Sequence, residues 1–314
     1  MTGKNATEML QPDGAGIARA AEILQRGGLV AVPTETVYGL AARADNADAV
    51  ARIYNAKGRP SFNPLIVHVA ELAAAARLAR LDDRAEKLAA HFWPGPLTLV
   101  LPLREDAGLA GAVTAGLPTL ALRVPDHPTM QSLLRVLDGP VAAPSANASE
   151  TVSPTSVDHV LKTLDGRIDA VIDAGATQRG LESTIVALRP DGSWNLLRAG
   201  PVGTEAIAAV LGSPPAGASS GVEAPGQLER HYAPGKPVRL DARSAREGEF
   251  LLGFASVGGD WQLSGSGDLA EAAARLYAGL HAAAEANAPR IAVAPIPDEG
   301  LGVAINDRLR RAAA

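Results

Sequence analysis

Short, continuously apolar runs recur along this chain, and they constrain its fold more than any other feature. LVAVP (29–33), PLIVHVA (64–70), PLTLVLP (96–102), TLALRVP (119–125) and GPVAAPS (139–145) are too brief for helices and read as buried strands. Between them lie stretches with helical spacing. In IARAAEIL, Ile17, Ala20, Ala21 and Leu24 share a face, and Gly27-Gly28 stops the helix. NADAVARIYNAK offers Asn46 as a cap, with Val50, Ile53 and Tyr54 on one side. Segments 71–79 and 83–91, HPTMQSLLRVL and SVDHVLKTL add further helices. DAVIDAG, STIVALR and WNLLRAG are late strands, and TEAIAAVLG closes the block. The fold class is therefore α/β, with a mixed sheet because strands outnumber helices late in the block. Residues 1 to 13 read as a loose tail.

From Ser213 the composition turns to Pro, Gly, Ala and Ser, which is linker chemistry. Beyond it, VRLDA, EFLLGFAS, a long helix through LAEAAARLYAGLHAAAEA, RIAVAPI and LGVAINDRLRRAA outline a second, smaller α/β unit. The expected division is 1–212, 213–236 and 237–314.

Several function classes are excluded early. The chain has 314 residues and no cysteine, so disulfides and thiolate chemistry are absent. Its six histidines show no zinc-binding spacing. A net charge of -5 does not suit a nonspecific nucleic-acid coat, although a local basic pocket remains open. No apolar run approaches the roughly 18–20 residues that span a bilayer, and the polar start lacks a secretory core; a soluble, cytoplasmic protein without membrane contact is expected.

Five constellations could carry chemistry. PTETVYGLAA (33–42) packs two threonines, a glutamate and a tyrosine where a strand ends, either a capped turn or a ligand-facing loop. NAKGRPSFNPL (55–65) puts Lys57 in the last turn of a helix, where a cation complements the dipole. Arg59 lies beyond Gly58, on a loop stiffened by Pro60, and is better placed for a phosphate or carboxylate. APSANASETVSPTS brings Ser145, Asn147 and Ser153 close together, as turn formers or as a cradle for phosphate or ribose. GLESTIVALR and LLRAG place Glu182, Ser183 and Thr184 at a strand entry and Arg198 at an exit; Arg123 ends another strand. APGQLERHYAP holds Arg230, His231 and Tyr232 between prolines, an arrangement suited to a lid. GSGDLA (265–270) reads as a helix start, because Asp268 would repel a pyrophosphate. No Walker loop or nucleophile elbow is present.

Taken in order, PTETVYGLAA, NAKGRPSFNPLIVHV, ALRVP, APSAN, ESTIV and PGQLERHYAP resemble the Sua5/YrdC/YciO family in its long, Sua5-type form, from about Ala15 onward. The resemblance implies a YrdC-like twisted mixed sheet with flanking helices, then a linker and a small Rossmann-like domain. It implies synthesis of L-threonylcarbamoyl-AMP from L-threonine, bicarbonate and ATP, with Mg2+ accompanying the nucleotide and no protein side chain serving as its ligand. The product would pass to the machinery that makes t6A on tRNA, so tRNA is met only indirectly. Carried over, Lys57 and Arg59 would be catalytic and hold phosphates, beside Asn63. Thr119, Ser145, Asn147, Ser153, Arg198 and Tyr232 would complete the ATP site. Thr36, His68, Arg123, Ser183 and the backbone of Ala143 would form the threonine site. Alternation alone would leave His68 as an ordinary core histidine; the family pattern turns it toward ligand. Two competing readings are an RNA-binding or ribosome-associated module on the same scaffold and a carbamoyl-transfer domain of the hydrogenase-maturation type.

Overall fold

A computed structural model describes residues 6–217, 221–227 and 231–314. In chain order its first part comprises β1 (Glu8–Leu10), α1 (Gly14–Gln25), β2 (Val30–Pro33), β3 (Tyr38–Arg43), α2 (Ala47–Lys57), β4 (Ile66–His68), α3 (Leu72–Leu78), α4 (Asp83–Phe92), β5 (Leu97–Pro102), β6 (Thr119–Arg123), α5 (Pro128–Leu137), β7 (Val141–Ala142), α6 (Val157–Leu164), β8 (Ala170–Ile172), β9 (Thr184–Leu188), β10 (Trp194–Arg198) and α7 (Thr204–Leu211). The strands form one ten-stranded mixed sheet in the order β1-β8-β2-β3-β7-β4-β6-β5-β9-β10.

Local chemistry explains the helix ends. Asp13 caps α1 by accepting from the Gly16 amide, and Asn46 caps α2 by accepting from Ala49. Gly58 closes α2 in the left-handed region at φ 61, so Arg59 leaves the helix as the sequence implies. Two strands lack an apolar-run signal. β3 is formed from YGLAAR and pairs antiparallel with β2. β1 corrects the loose-tail expectation: Glu8, Met9 and Leu10 pair in parallel with Ala170, Val171 and Ile172. Three residues with one buried side chain carry no pattern of their own; the open edge of β8 makes them a strand.

Alternation divides the sheet into two faces. One carries Leu65, Val67, Leu97, Leu99, Leu120, Leu122, Val186 and Trp194, buried in the main core. On the other, α1 and α5 cover β8, β2, β3 and β7 through Leu24, Val30, Val32, Met130, Leu133 and Val141. That cover ends at β4, where Val67 pairs with Ala142 and His68 with Val141. Beyond it Ile66, Ala121, Val100, Ile185, Ala187 and Leu197 form a shallow apolar floor, and Ala224 of the linker lies on it. A trough is left between the helix-covered half and the linker-covered half.

The second part contains β11 (Val238–Arg239), β12 (Glu249–Gly253), β13 (Trp261–Gln262), α8 (Leu269–Glu285), β14 (Arg290–Val293) and α9 (Leu301–Ala313). Its sheet is all parallel, ordered β11-β14-β12-β13. Asp268 caps α8, accepting from Ala270 and Glu271, so GSGDLA is a helix start. One face of α8 meets the first part. An added Cβ on Gly180, at φ +69, would lie 2.4 Å from Ala273 O, so this close approach requires glycine. Tyr277, His281 and Glu285 continue that face at four-residue spacing: Tyr277 Oη donates to Glu182 at 2.8 Å, His281 stacks on His159 at 3.8 Å, and Glu285 pairs with Lys162 at 2.6 Å.

Candidate active site

The trough narrows to a pocket whose lining includes Thr36, Arg59, His68, Arg123, Ala143, Ser145, Ser183, Arg198 and Tyr232. Nine of the fourteen residues proposed from sequence therefore converge, from β4, β6 and β10, from the segments just before β3 and β9, from the loops after α2 and β7, and from the linker. The walls also include Thr34, Glu182, Pro225, Gly226 and His231.

One end is built around Arg123, at the end of β6. Its Nε donates to Gly95 O at 3.1 Å and Nη1 to Thr36 Oγ1 at 3.1 Å. Thr36 Oγ1 is 2.8 Å from Thr34 Oγ1, so the threonine pair braces the guanidinium. Nη2 lies 2.6 Å from Glu35 Oε1. His68, beside Arg123 in the β4–β6 register, is buried and has no partner for Nδ1. Burial, reinforced by Arg123, lowers its pKa to about 3, so the imidazole is neutral. A neutral ring can donate and accept. Ser183 Oγ bonds Thr98 Oγ1 at 2.7 Å, and Ala143 presents its backbone, its amide donating to Ile66 O.

The other end is cationic. Arg59 donates to Asn63 O, Asn63 Oδ1 and Pro64 O at 2.7–3.1 Å, which fixes its plane. Arg198 donates to Ser183 O at 3.0 Å, Ser183 Oγ at 3.1 Å and Pro225 O at 3.3 Å. Burial lowers the Arg59 pKa to about 10, with Arg198 adding repulsion, yet it stays protonated at neutral pH. Two fixed guanidiniums that repel one another suit a polyanion.

Tyr232 roofs this end. It is buried at φ 62, with His231 at 4.0 Å, Tyr277 at 5.6 Å and the Arg308 guanidinium at 5.3 Å. Arg230, expected beside it, lies outside the described residues. Beneath the roof, Glu182 accepts from Ser153 Oγ at 2.5 Å, Tyr277 Oη at 2.8 Å and Arg308 Nε at 3.0 Å. Burial alone would raise its carboxyl; Arg308 and Arg198, with Ser153 and Tyr277, hold it at about 2. GLESTIV marked the position of Glu182, but Arg308 and Tyr277, more than ninety residues away, had no local signal.

The other five candidates lie outside the pocket lining. Lys57 is buried, and Nζ donates to Ser145 O at 2.6 Å and to Asn147 O. It holds the Ser145–Asn147 loop, and burial with Arg59 nearby keeps its pKa well below 10.5. Asn147 is buried, with Nδ2 engaged by Ala148 O and Thr151 and Oδ1 without a partner. Ser153 is fully buried on Glu182. Asn63 orients Arg59. Thr119 begins β6, on the same face as Arg123 but at the opposite end of the strand.

Among the described residues no group of His, Cys, Asp and Glu could hold a metal ion, and no helix is long and apolar enough to cross a membrane.

A family profile described as "Telomere recombination", covering Sua5, YciO and YrdC, matches residues 22–200, and one described as "Threonylcarbamoyl-AMP synthase, C-terminal domain" matches 202–314. The Bacillus subtilis threonylcarbamoyl-AMP synthase is 40% identical, covering 98% of this chain and 96% of its own. That of Pyrococcus abyssi is 40% identical over 93% of this chain and 92% of its own. A crystal structure of P. abyssi Sua5 complexed with L-threonine superposes with a TM-score of 0.88 at 35% identity, covering 98% of both chains. With both parts matched over nearly their whole length, the chain belongs to the Sua5/YrdC/YciO family, in the two-part form of the threonylcarbamoyl-AMP synthases.

Proposed function

We propose that this chain condenses L-threonine, bicarbonate and ATP into L-threonylcarbamoyl-AMP and pyrophosphate. The observation that carries this reading is the polarity of the pocket. A braced arginine and a neutral histidine stand at one end, and two mutually repelling arginines stand under an aromatic roof at the other. Arg123 would pair the threonine carboxylate, while His68 and Ser183 meet its polar groups. Arg59 and Arg198 would take the triphosphate, with Ser145 beside them. Lys57 would act by fixing the Ser145–Asn147 loop.

The chemistry balances without a protein nucleophile. The deprotonated threonine amine attacks the carbon of bicarbonate and water leaves, giving a carbamate. A carbamate oxygen then attacks the α-phosphorus, the bond to the bridging oxygen breaks, and pyrophosphate departs. Such a displacement is governed by positioning and charge neutralisation, which the two fixed guanidiniums supply. Mg2+ enters as part of the MgATP substrate. The pocket carboxylate, Glu182, is fully engaged by Ser153, Tyr277 and Arg308, so phosphate oxygens and water would complete the metal shell.

In this reading residues 1–212 perform the chemistry, 213–236 close over the nucleotide, and 237–314 seat the closing segment. The adenylate, a mixed anhydride, would pass in the cytoplasm to the transferase machinery that completes t6A on tRNA. The test is pyrophosphate release from purified protein. Release that requires threonine, bicarbonate and ATP together supports the reading. Release independent of threonine, or salt-sensitive binding to duplex RNA without ATP, overturns it.

A further inference from the structure

Arg123 is a buried cation, and the group that neutralises it belongs to the unassigned part of PTETVYGLAA. Glu35 is 2% exposed, and its Oε1 lies 2.6 Å from Arg123 Nη2. The contact is an ion pair without hydrogen-bond alignment. Both Glu35 oxygens and Arg123 Nη2 remain without a hydrogen-bond partner, while Nε and Nη1 are engaged by Gly95 and Thr36. Glu35 is not among the residues that line the pocket, so it supplies charge to Arg123 from behind the pocket wall. His127, which also feels the Glu35 charge, is held below its usual pKa by burial, and the ion pair of Glu35 is with Arg123.

This arrangement has a consequence for selectivity, which rests on the reading of Arg123 as the carboxylate partner. An arginine without a counter-ion carries a net positive charge and attracts any carboxylate. An arginine paired with Glu35 makes that end of the pocket electrically neutral. An incoming carboxylate then meets repulsion from Glu35 as well as attraction from Arg123, and a molecule carrying its own positive charge offsets that repulsion. We propose that Glu35 is a specificity-determining residue which, acting through Arg123, makes the pocket select the zwitterion of an amino acid over a simple carboxylate.

The experiment compares L-threonine with 3-hydroxybutyrate, which keeps the carboxylate and hydroxyl but lacks the amine, by calorimetry on the full chain at neutral pH. In Glu35→Gln the ratio of threonine affinity to 3-hydroxybutyrate affinity should fall roughly tenfold or more, because the simple carboxylate is relieved of a repulsion that the threonine ammonium had already offset. General loosening of the pocket would weaken both ligands and leave the ratio in place. Glu35→Asp, which retracts the carboxylate by one methylene, should give an intermediate ratio; it carries the test alone if Glu35→Gln does not fold. A ratio equal to that of the parent in the variant measured overturns the proposal. Arg123→Lys separates the two readings. If it leaves threonine binding intact, the assignment of Arg123 fails. If it weakens threonine while the Glu35 variants keep the parent ratio, only the selectivity inference fails.

Discussion

Replacing Arg308 by methionine should uncouple the roof of the pocket from its floor. Arg308 is fully buried on α9, yet its guanidinium reaches Glu182 at 3.0 Å and Ala199 O at 2.9 Å in the first part, and lies over the Tyr232 ring. Methionine keeps some of the volume and removes the charge, stranding a buried carboxylate and a carbonyl. Breaking a buried pair from one side costs about 3–5 kcal/mol. The depressed Glu182 carboxyl, to which Arg198, Ser153 and Tyr277 contribute beside Arg308, points to a similar magnitude. The Glu182 carboxyl falls from 4.5 in a free glutamate to about 2 here, which at roughly 1.4 kcal/mol per pH unit is about 3 kcal/mol. Because the folded pKa is depressed, this stability is complete above about 4.5 and is lost as the pH falls toward 2. Urea titrations followed by tryptophan fluorescence report both parts, since Trp93 and Trp194 lie in the first and Trp261 in the second. Glu182 should account for about 3 kcal/mol of the parent's loss between those pH values, in addition to what the buried histidines contribute. Arg308→Met should have lost a similar amount already at pH 7 and show a weaker acid limb, with KM for ATP raised because Tyr232 has lost its neighbour. An unfolding free energy within about 1 kcal/mol of the parent at pH 7, together with an unchanged acid limb, would refute the reasoning.

Other perturbations probe separate pieces. Arg59→Ala removes a guanidinium held by Asn63 and Pro64; KM for ATP should rise roughly tenfold or more with threonine affinity unchanged in calorimetry. Gly226→Ala places a Cβ 3.0 Å from Arg198 Cδ and 3.2 Å from Tyr232 Oη at φ +86; the left-handed backbone alone costs about 1–2 kcal/mol, and turnover should drop further than stability. His68, His231 and His281 are each held at about 3, chiefly by burial, so the folded chain binds fewer protons than the unfolded chain below 6.5. Stability should therefore be full above pH 6.5 and decline as the pH falls toward 3, and the pH profile of kcat/KM for threonine should lack an inflection near 6.5.

The residues most legible in the sequence are those whose neighbours along the chain define their setting. The apolar runs became β2, β4, β5, β6, β7, β8, β9 and β10 because a buried strand needs little beyond continuous apolar character. Arg59 was separable from the helix before it because Gly58 announces a left-handed cap. Lys57 shows the limit. Its place in the helix suggests a dipole-complementing cation and the family resemblance implies a phosphate ligand, while here the side chain is engaged by Ser145 O and Asn147 O, which are 88 and 90 positions away. A buried ammonium takes whatever acceptors the tertiary fold brings to it, and local sequence does not encode them. Glu182 repeats the lesson across a longer span, since Tyr277 and Arg308 reach it from 95 and 126 positions on. Charged groups placed by local geometry can be read early; those placed by long-range neutralisation can be assigned only after the fold has chosen their partners. Both kinds meet at Arg198, which ends a strand that the apolar pattern marked and takes its electrostatics from Glu182, Arg308 and Tyr232. The roof, the floor and the cationic end of the pocket are thus one electrostatic unit, and a substitution in any of them should be felt in the other two.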